Sequence, residues 1–519
     1  MKDKFARVSF KEPRGLILGI FLSIASAAIC MQIMGQFGTA PNTSLIGAVL
    51  VMVVARMPIA FAQKFKNLER QNYVISIASA AGFAAANCGF VTIATMFILG
   101  RNDLIIPMAI GTLAGSMASV FILGRIFDSK IFPARAPWPV GQAVAATLQA
   151  GDEGGKKGWQ LLQGLAIGAI ASFFGVPAAG VGIAFIANMV SMGALAVGMI
   201  LRGHSARIFG GFDIGESNIA QGVMIGAGAV ALVQIFITIS KDGRKASHKS
   251  RSAEYTVSDN RTRKTLLGSV ALFMFGAVAI AFATGIFAEM PLSQSVLWVA
   301  FAGSASVIVM VLVGTASMFS GWAPGFAVVT LCLTIGMLIG FPPMPLAILV
   351  GYIGSVGMPL QDAGVGLKTG WLLRGQGKNA EHEKYGRRQQ IIAKQIGVLV
   401  GILMAMVFGM MLVQNNIVPP MSLFYAGTVH SAAGPGLMRE LVIWAIPGAI
   451  LQIIFGNKSV GLMLATGLLI NNPIFGISVL AAITVRLIIG TKFMTIRGPG
   501  LIAGDGLFGF GANIFKTFF

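Results

Sequence analysis

The sequence predicts an all-α protein that crosses a membrane many times. Of its 519 residues, 55% are hydrophobic and only 11% are charged, and the mean hydropathy is +0.81. A soluble protein carries about 25% charged residues, most of them on its surface. The 38 Lys and Arg outnumber the 18 Asp and Glu, and they lie in short loops between apolar runs. This positive-inside pattern is typical of a multi-pass protein of the cytoplasmic membrane and argues against a nucleic-acid partner.

The first half of the bundle is expected over residues 15–240, after a basic cytoplasmic segment at 1–14. About 20 apolar residues are enough to cross a bilayer as a helix. A basic loop with three prolines, at 125–158, is placed in the cytoplasm. The apolar runs of this half lie at 15–35, 44–62, 72–100, 104–124, 159–175, 180–201 and 218–240.

The number of crossings conflicts with the charge of the linker between the halves. This linker, at 241–264, is strongly basic and is expected in the cytoplasm. Three crossings after a cytoplasmic loop would leave it on the opposite side. We therefore expect a re-entrant segment or a further crossing near the polar stretch 203–218, because irregular backbone at membrane depth needs protein or a water-filled cavity around it.

The second half is expected over residues 265–519, with a basic cytoplasmic stretch at 362–394. Its apolar runs lie at 265–287, 294–315, 322–341, 345–360, 391–413, 440–456, 459–471, 475–490 and 498–515. Both halves show four crossings, then a cytoplasmic segment with proline and small residues, then further crossings. The prediction is a polytopic bundle of about 14 to 16 membrane segments in two pseudo-repeated halves. Broken segments at matching places in two halves indicate a transporter's binding site.

Three stretches with Gly or Pro predict broken helices, namely GFPPMP at 340–345, INNP at 470–473 and RGPGLIAGDGLFGFG at 497–511. The ends of half-helices present unpaired backbone groups that bind ions or polar solutes. Asn471 and Asn472 are therefore candidate solute ligands. A helix cap or a loop is the alternative for both. The many other glycines favour close packing of helices.

Ionisable residues within a membrane are costly, so each is a functional candidate. Asp505 lies in a glycine-rich apolar run and is the candidate for proton coupling, or else it pairs with a distant arginine at a helix end. Asp213 and Glu216 are candidates to contact solute, unless they belong to an ordinary loop. Tyr425 is a further candidate contact. The arginines within apolar runs, Arg56 and Arg486, either reach the interface with their long side chains or pair with a solute carboxylate.

The sequence offers no site for enzyme chemistry. It has no phosphate loop, no HExxH helix and no GxSxG elbow, and EHEKY at 381–385 has the wrong order for zinc. The three cysteines lie in apolar runs without the spacing of a disulfide framework or a metal site. We expect no catalytic residue, no cofactor and no metal centre.

Three segments together resemble the signatures of the oligopeptide transporter family. LQDAGVGLKTGWLLRGQGKNAEHEKYGRRQQ at 360–390 carries the L-K-T-G step and the basic R-x-Q end. PWPVGQAVAATLQAGDEGGKKG at 137–158 is similar to the family's P-x-G-x-A loop, and GPGLIAGDGLFGF at 498–510 to its terminal glycine-rich motif, with Asp505 at the acidic position. In the first of these segments, the residues that match the family are Asp362, Leu367, Lys368, Thr369, Gly370, Arg387, Arg388 and Gln389. In the second, they are Pro139, Gly141, Ala143, Ala150, Gly151, Asp152 and Gly154.

The resemblance implies a secondary active transporter, generally coupled to protons, that imports short peptides, glutathione-like thiols or metal chelates. The NPG and KIPPR motifs of the eukaryotic peptide branch are absent, which argues against specificity for tetra- and pentapeptides. The compact loops favour a prokaryotic member closer to the metal-chelate, yellow stripe-like branch. Within the signature segment, Asp362, Lys368, Thr369, Gly370, Arg387 and Arg388 are expected to form a gate or a structural clasp. The implied partners are a small solute, protons and membrane lipid, and the oligomeric state stays open, a homo-oligomer included.

Three other classes of function compete with this reading. A channel or an exporter of another small solute would share most of these sequence features. A membrane enzyme acting on lipid-linked substrates would need paired carboxylates at one interface, and the acids here are isolated. A scaffold needs neither broken helices nor charges at membrane depth.

Overall fold

The computed structural model describes residues 12–38, 43–44, 47–48, 51, 54, 67–152, 156–249, 255–320, 325–431, 437–458, 460–491 and 493–518. Within these ranges the chain is helical and has no strand, apart from one isolated bridge between Phe127 and Phe132. The predicted class, an all-α polytopic membrane bundle, is confirmed. Most of the predicted run at 44–62 lies outside the described residues, as does Arg56.

The helices of the first half are α1 (Pro13–Phe37), α2 (Leu68–Ile98), α3 (Ile105–Ile126), α4 (Pro139–Asp152), α5 (Lys156–Phe173), α6 (Ala178–Ile186), α7 (Met189–Ile208) and α8 (Ile219–Lys249). The second half contains α9 (Asp259–Thr284), α10 (Leu292–Ser320), α11 (Gly325–Ile339), α12 (Pro343–Leu373), α13 (Ala380–Gln414), α14 (Pro420–Ser431), α15 (Leu437–Phe455), α16 (Val460–Leu469), α17 (Pro473–Ile489) and α18 (Met494–Phe518). Two of these helices contain a π-helical turn, at Ala85–Phe90 in α2 and at Ala405–Gly409 in α13.

Seven helices of the described residues are long and apolar enough to cross a membrane. They are α1, α2, α3, α9, α10, α12 and α13. Several others are much shorter: α6 has 9 residues and α16 has 10. At 1.5 Å per residue such helices reach only about half of the roughly 30 Å hydrocarbon core. The total number of crossings therefore stays a prediction.

The helices form two groups, and each group draws on both halves of the sequence. In the first group, α2 packs against α1 and α13, and α3 packs against α12 and α9. In the second group, α5 packs against α18, α7 against α16 and α17, and α8 against α15. The two halves of the sequence are thus interleaved in space.

Glycines allow these pairs of helices to approach until backbones touch. A Cβ atom on Gly168 of α5 would lie 2.3 Å from the carbonyl oxygen of Leu501 in α18. One on Gly226 of α8 would lie 1.8 Å from the carbonyl oxygen of Ala445 in α15. Membrane helices without a hydrophobic driving force between them associate through such small-residue contacts. The predicted role of glycine in close packing is confirmed at these positions.

Three predicted boundaries are wrong. The run 345–360 ends too early, because α12 continues to Leu373; α13 begins at Ala380, and a short turn joins the two helices within the predicted cytoplasmic stretch 362–394. The run 180–201 is two helices, because the chain leaves α6 at Ala187 and restarts with Asn188 as the N-cap of α7. The predicted break at 497–511 is absent, since α18 is continuous through Pro499.

Candidate functional site

Two of the sequence signatures contact each other. The ammonium group of Lys368 in α12 donates hydrogen bonds to the carbonyl oxygens of Ala134, at 2.8 Å, and Ala136, at 2.9 Å. Next to it, the hydroxyl of Thr369 donates to the carbonyl oxygen of Gly141 at 3.1 Å. Both side chains are buried. Segments more than 200 residues apart in sequence therefore form one folded unit, which we call the signature clasp (residues 127–141 and 362–390).

Arg387 ties the interdomain linker to this clasp. Its guanidinium donates to the carbonyl oxygen of Phe127 at 2.5 Å and to the hydroxyl of Thr256 at 3.0 Å. That hydroxyl in turn donates to a carboxylate oxygen of Asp128 at 2.7 Å. Arg387 is buried, whereas its neighbour Arg388 is exposed. Only the first of these two predicted gate residues has its side chain packed into the clasp.

The clasp contains one buried ion pair and shares a second with Lys394. Arg374 binds Glu383 through two hydrogen bonds, of 2.8 and 3.1 Å, and a third bond of 2.8 Å joins it to Gln390. Gly370 leaves space for the side chains of Arg374 and Gln390, since a Cβ there would lie 2.1 Å from the amide oxygen of Gln390.

The other pair joins Lys394 to Asp362 at 2.5 Å. Their side chains are 1% and 2% exposed. Lys394 also donates to the hydroxyl of Ser79 at 2.6 Å, and the hydroxyl of Ser44 donates to Asp362 at 3.1 Å. The sequence analysis did not select Lys394, because it placed the residue at the end of the basic cytoplasmic stretch 362–394. The signal was present, since Lys394 is followed directly by the apolar run of α13.

Tyr425 lies at a small cavity where the π-helical turn of α2 faces α12. The cavity holds about 20 Å³, enough for one water molecule. Asn87, Thr92 and Tyr425 are among its polar lining residues, and Gly354 and Met358 of α12 form part of the opposite wall. The Tyr425 hydroxyl lies beside Thr330 and has no hydrogen-bond partner of normal geometry in the described residues. A buried polar atom in this state is satisfied by a water or by a ligand group.

Asp213 and Asn472 use their oxygens within the protein. Asp213 pairs with Arg202 and accepts the backbone N–H of Gly215 at 2.8 Å. That N–H and the Arg202 guanidinium hold the pKa of the Asp213 carboxyl below its usual range. Asn472 is the N-cap of α17 and accepts the N–H of Phe475 at 3.1 Å. Glu216 and Asn471 are exposed. Asp213 and Asn472 therefore make contacts within the protein, and neither residue lines the cavity at Tyr425.

Asp505 and Arg486 bind opposite ends of the short helix α6. The buried Asp505 carboxylate accepts the N–H of Ala179, in the first turn, at 2.6 Å. The Arg486 guanidinium donates to the carbonyl oxygens of Ala184 and Ala187, at the last turn, at 2.7 Å each. Each charge thus lies at the helix end whose partial charge it complements. The sequence reading named both residues but did not foresee that they share this helix.

The comparisons with known proteins agree with part of this picture. Residues 13–203 match the family model of the OPT oligopeptide transporter proteins. The match covers α1 to α6, most of α7 and the signature segment 137–158, which the clasp joins to the signature segment 360–390. No curated protein matches the chain. The chain is a multi-pass helical membrane protein whose first 200 or so residues are similar to the OPT oligopeptide transporter proteins.

Proposed function

We propose that the protein is a secondary active transporter of the oligopeptide transporter family, a prokaryotic member closer to the yellow stripe-like branch, located in the cytoplasmic membrane. The observation that carries this proposal is the signature clasp. The family model matches only the first part of the chain, yet Thr369 of the second half binds directly to Gly141 in the signature segment 137–158, and Lys368 binds to Ala134 and Ala136 just before it. Contact between two segments that both resemble this family supports extending the resemblance from residues 13–203 to the second half.

The proposed substrates are short peptides, glutathione-like compounds or metal chelates, imported together with protons. In this proposal Asp505 carries the coupling proton. Its carboxylate caps α6, so gain or loss of a proton changes the charge at the N-terminus of a short helix that is broken from α7. The coupling of charge to the position of a broken helix is the physical basis of the assignment.

The experiment is transient current from proteoliposomes on a solid-supported membrane, challenged with short peptides, glutathione and iron chelates. The key variant is Asp505→Asn, which keeps an oxygen to accept the Ala179 N–H and removes only the titrating group. We expect a solute-evoked current in the wild type that is lost in Asp505→Asn.

Asp505→Ala is the matched variant, because it removes the cap as well and should cost about 1 kcal/mol of stability. Equal currents in the wild type and Asp505→Asn would mean that Asp505 only caps α6 and does not carry the coupling proton. A wild type that moves none of these solutes under a proton gradient would contradict proton symport of this substrate class.

A further inference from the structure

The contact between α2 and α12 contains a row of buried polar groups and, further along α2, the cavity at Asn87. Along α2, Asn72, Ser76 and Ser79 are spaced by four and three residues, which places them on one face of the helix, and all three are buried. The cavity at Asn87 lies further along the same helix. Every residue of α2 from Gln71 to Ala84 is buried. A helix enclosed by protein on all sides needs no such polar face for solubility.

The facing residues of α12 are spaced at intervals of four. Gly354 and Met358 line the cavity, and Asp362 and Gly366 come next along the helix. Two side chains of α13 bridge the helices. Gln390 donates to the carbonyl oxygen of Gly366 at 2.9 Å and to the Ser76 hydroxyl at 3.3 Å.

Lys394 forms the second bridge, between Ser79 and Asp362. The seam between α2 and α12 therefore runs from the cavity, past Asp362 one helical turn away, to the turn that joins α12 to α13.

An ion pair is an expensive way to fill this seam. Removing two charges from water costs several kcal/mol for each ion, and well-packed apolar residues often stabilise a protein as much or more. At membrane depth, a buried charge that is retained marks a functional site by default. The pair is 1% and 2% exposed. It lies between a polar helix face and the cavity of Tyr425, whose hydroxyl has no hydrogen-bond partner of normal geometry in the part of the chain that the structure describes.

We propose that this seam is the solute path, and that Lys394 and Asp362 bind the carboxylate and the ammonium group of a zwitterionic solute. In this structure the two residues bind each other and close the seam on the side of the α12–α13 turn, the predicted cytoplasmic side. A zwitterion replaces one ion pair by two, so that neither buried charge is left without a partner. A solute with only one charge leaves Asp362 or Lys394 unpaired. The proposal rests on the proposed transport function and adds to it a binding site and a substrate class.

The test uses Cys88 as a native reporter, because its thiol is buried in the π-helical turn of α2 and lies 4.0 Å from the carbonyl oxygen of Gly354 in α12. Full-length protein carrying Cys30→Ala and Cys332→Ala is labelled in detergent with a small methanethiosulfonate. The rate is measured with and without two zwitterions, trialanine and nicotianamine. Three blocked forms of trialanine serve as controls, one lacking each charge and one lacking both. We expect at least one zwitterion to slow labelling threefold or more, and the blocked forms to have no effect.

The decisive variant is Lys394→Met with Asp362→Leu, an apolar pair that should fold normally. We expect it to lose the protection, while Arg374→Met with Glu383→Leu, which removes the other buried ion pair, keeps it. Equal protection by blocked and free forms, protection that survives in the apolar variant, or no protection at all overturns the assignment. Because labelling needs no gradient, protection without any solute current would contradict the transport proposal and leave this site standing.

Discussion

Charges at the two ends of α6 give a nine-residue helix a fixed place in the bundle. An isolated helix of that length is not stable, because nucleation costs more than so few hydrogen bonds return. Asp505 at the first turn and Arg486 at the last turn each complement the helix dipole, a contribution of about 0.3 to 2 kcal/mol apiece. Both come from the second half, so α6 is held by residues far away in sequence.

The Arg486 contacts can be tested by substitution. In Arg486→Leu, the carbonyl oxygens of Ala184 and Ala187 lose their donor, which should cost about 1 to 3 kcal/mol. We expect a lower thermal midpoint in detergent and faster hydrogen exchange over residues 178–188. Arg486→Lys keeps a charged donor, so its thermal midpoint and exchange rate should lie between those of the wild type and Arg486→Leu. An unchanged midpoint and exchange rate in Arg486→Leu would mean that the carbonyls find other partners.

At the scale of whole elements, the π-helical turns of α2 and α13 pack against each other. A Cβ on Gly89 would lie 2.5 Å from the Cβ of Ala405, and one on Gly409 would lie 3.2 Å from the ring of Phe90. A π-helical turn is one residue inserted into an α-helix, and it is found most often at functional sites. In α2 this inserted turn carries Asn87 to the cavity.

Deletion of a single residue distinguishes this turn from ordinary helix. Removing Ala86 should restore an α-helix while both flanks keep their faces, so we expect a folded protein with lost or altered transport. Removing Ala78, in regular helix, rotates the N-terminal part of α2 by about 100° relative to its C-terminal part and should prevent folding. Size-exclusion profiles and solute currents of the two deletions provide the measurement. Similar profiles for both would contradict this account of the turn.

The glycine contacts predict that Gly→Ala substitution lowers stability strongly at one position and hardly at all at another. Gly168→Ala should destabilise the α5–α18 pair strongly, because its Cβ would clash with backbone at 2.3 Å. Gly268→Ala, on a helix with nothing within 4 Å, should be neutral or stabilise by up to about 1 kcal/mol through helix propensity. Thermal midpoints of the two variants test this. A tolerated Gly168→Ala would show that α5 and α18 are able to separate without loss of the fold.

At the scale of the molecule, interleaving of the halves predicts that neither half folds alone. Residues 1–249 and 255–519, produced together as two chains, should assemble, since the major contacts of α5, α7 and α8 lie in the other half. Each produced separately should be degraded. Recovery of one chain through an affinity tag on the other is the measurement. A stable first half on its own would argue for two independent bundles.

Composition and hydropathy were enough to predict the fold class, because the membrane permits only helices or closed barrels. They did not give the helix boundaries near Asp362 and Lys394, since charges buried in pairs look like solvated loops in a linear sequence. The partner of Asp505 was hidden for another reason. Its carboxylate accepts the N–H of Ala179 in α6, which only the folded chain brings next to α18. Tyr425 was named from the sequence, but its cavity arises from a π-helical turn that leaves no clear periodic signal.

The contact between Ala179 and Asp505 joins residues that are 326 positions apart. At roughly 5 to 20 residues per second, a ribosome needs about 16 to 65 seconds to make the chain between them. During that interval α6 is already synthesised but has neither of its charged caps, and α5 presents its glycine face to lipid or to the insertion machinery. The contacts that hold α6 therefore form only late in synthesis, after both Arg486 and Asp505 have been made.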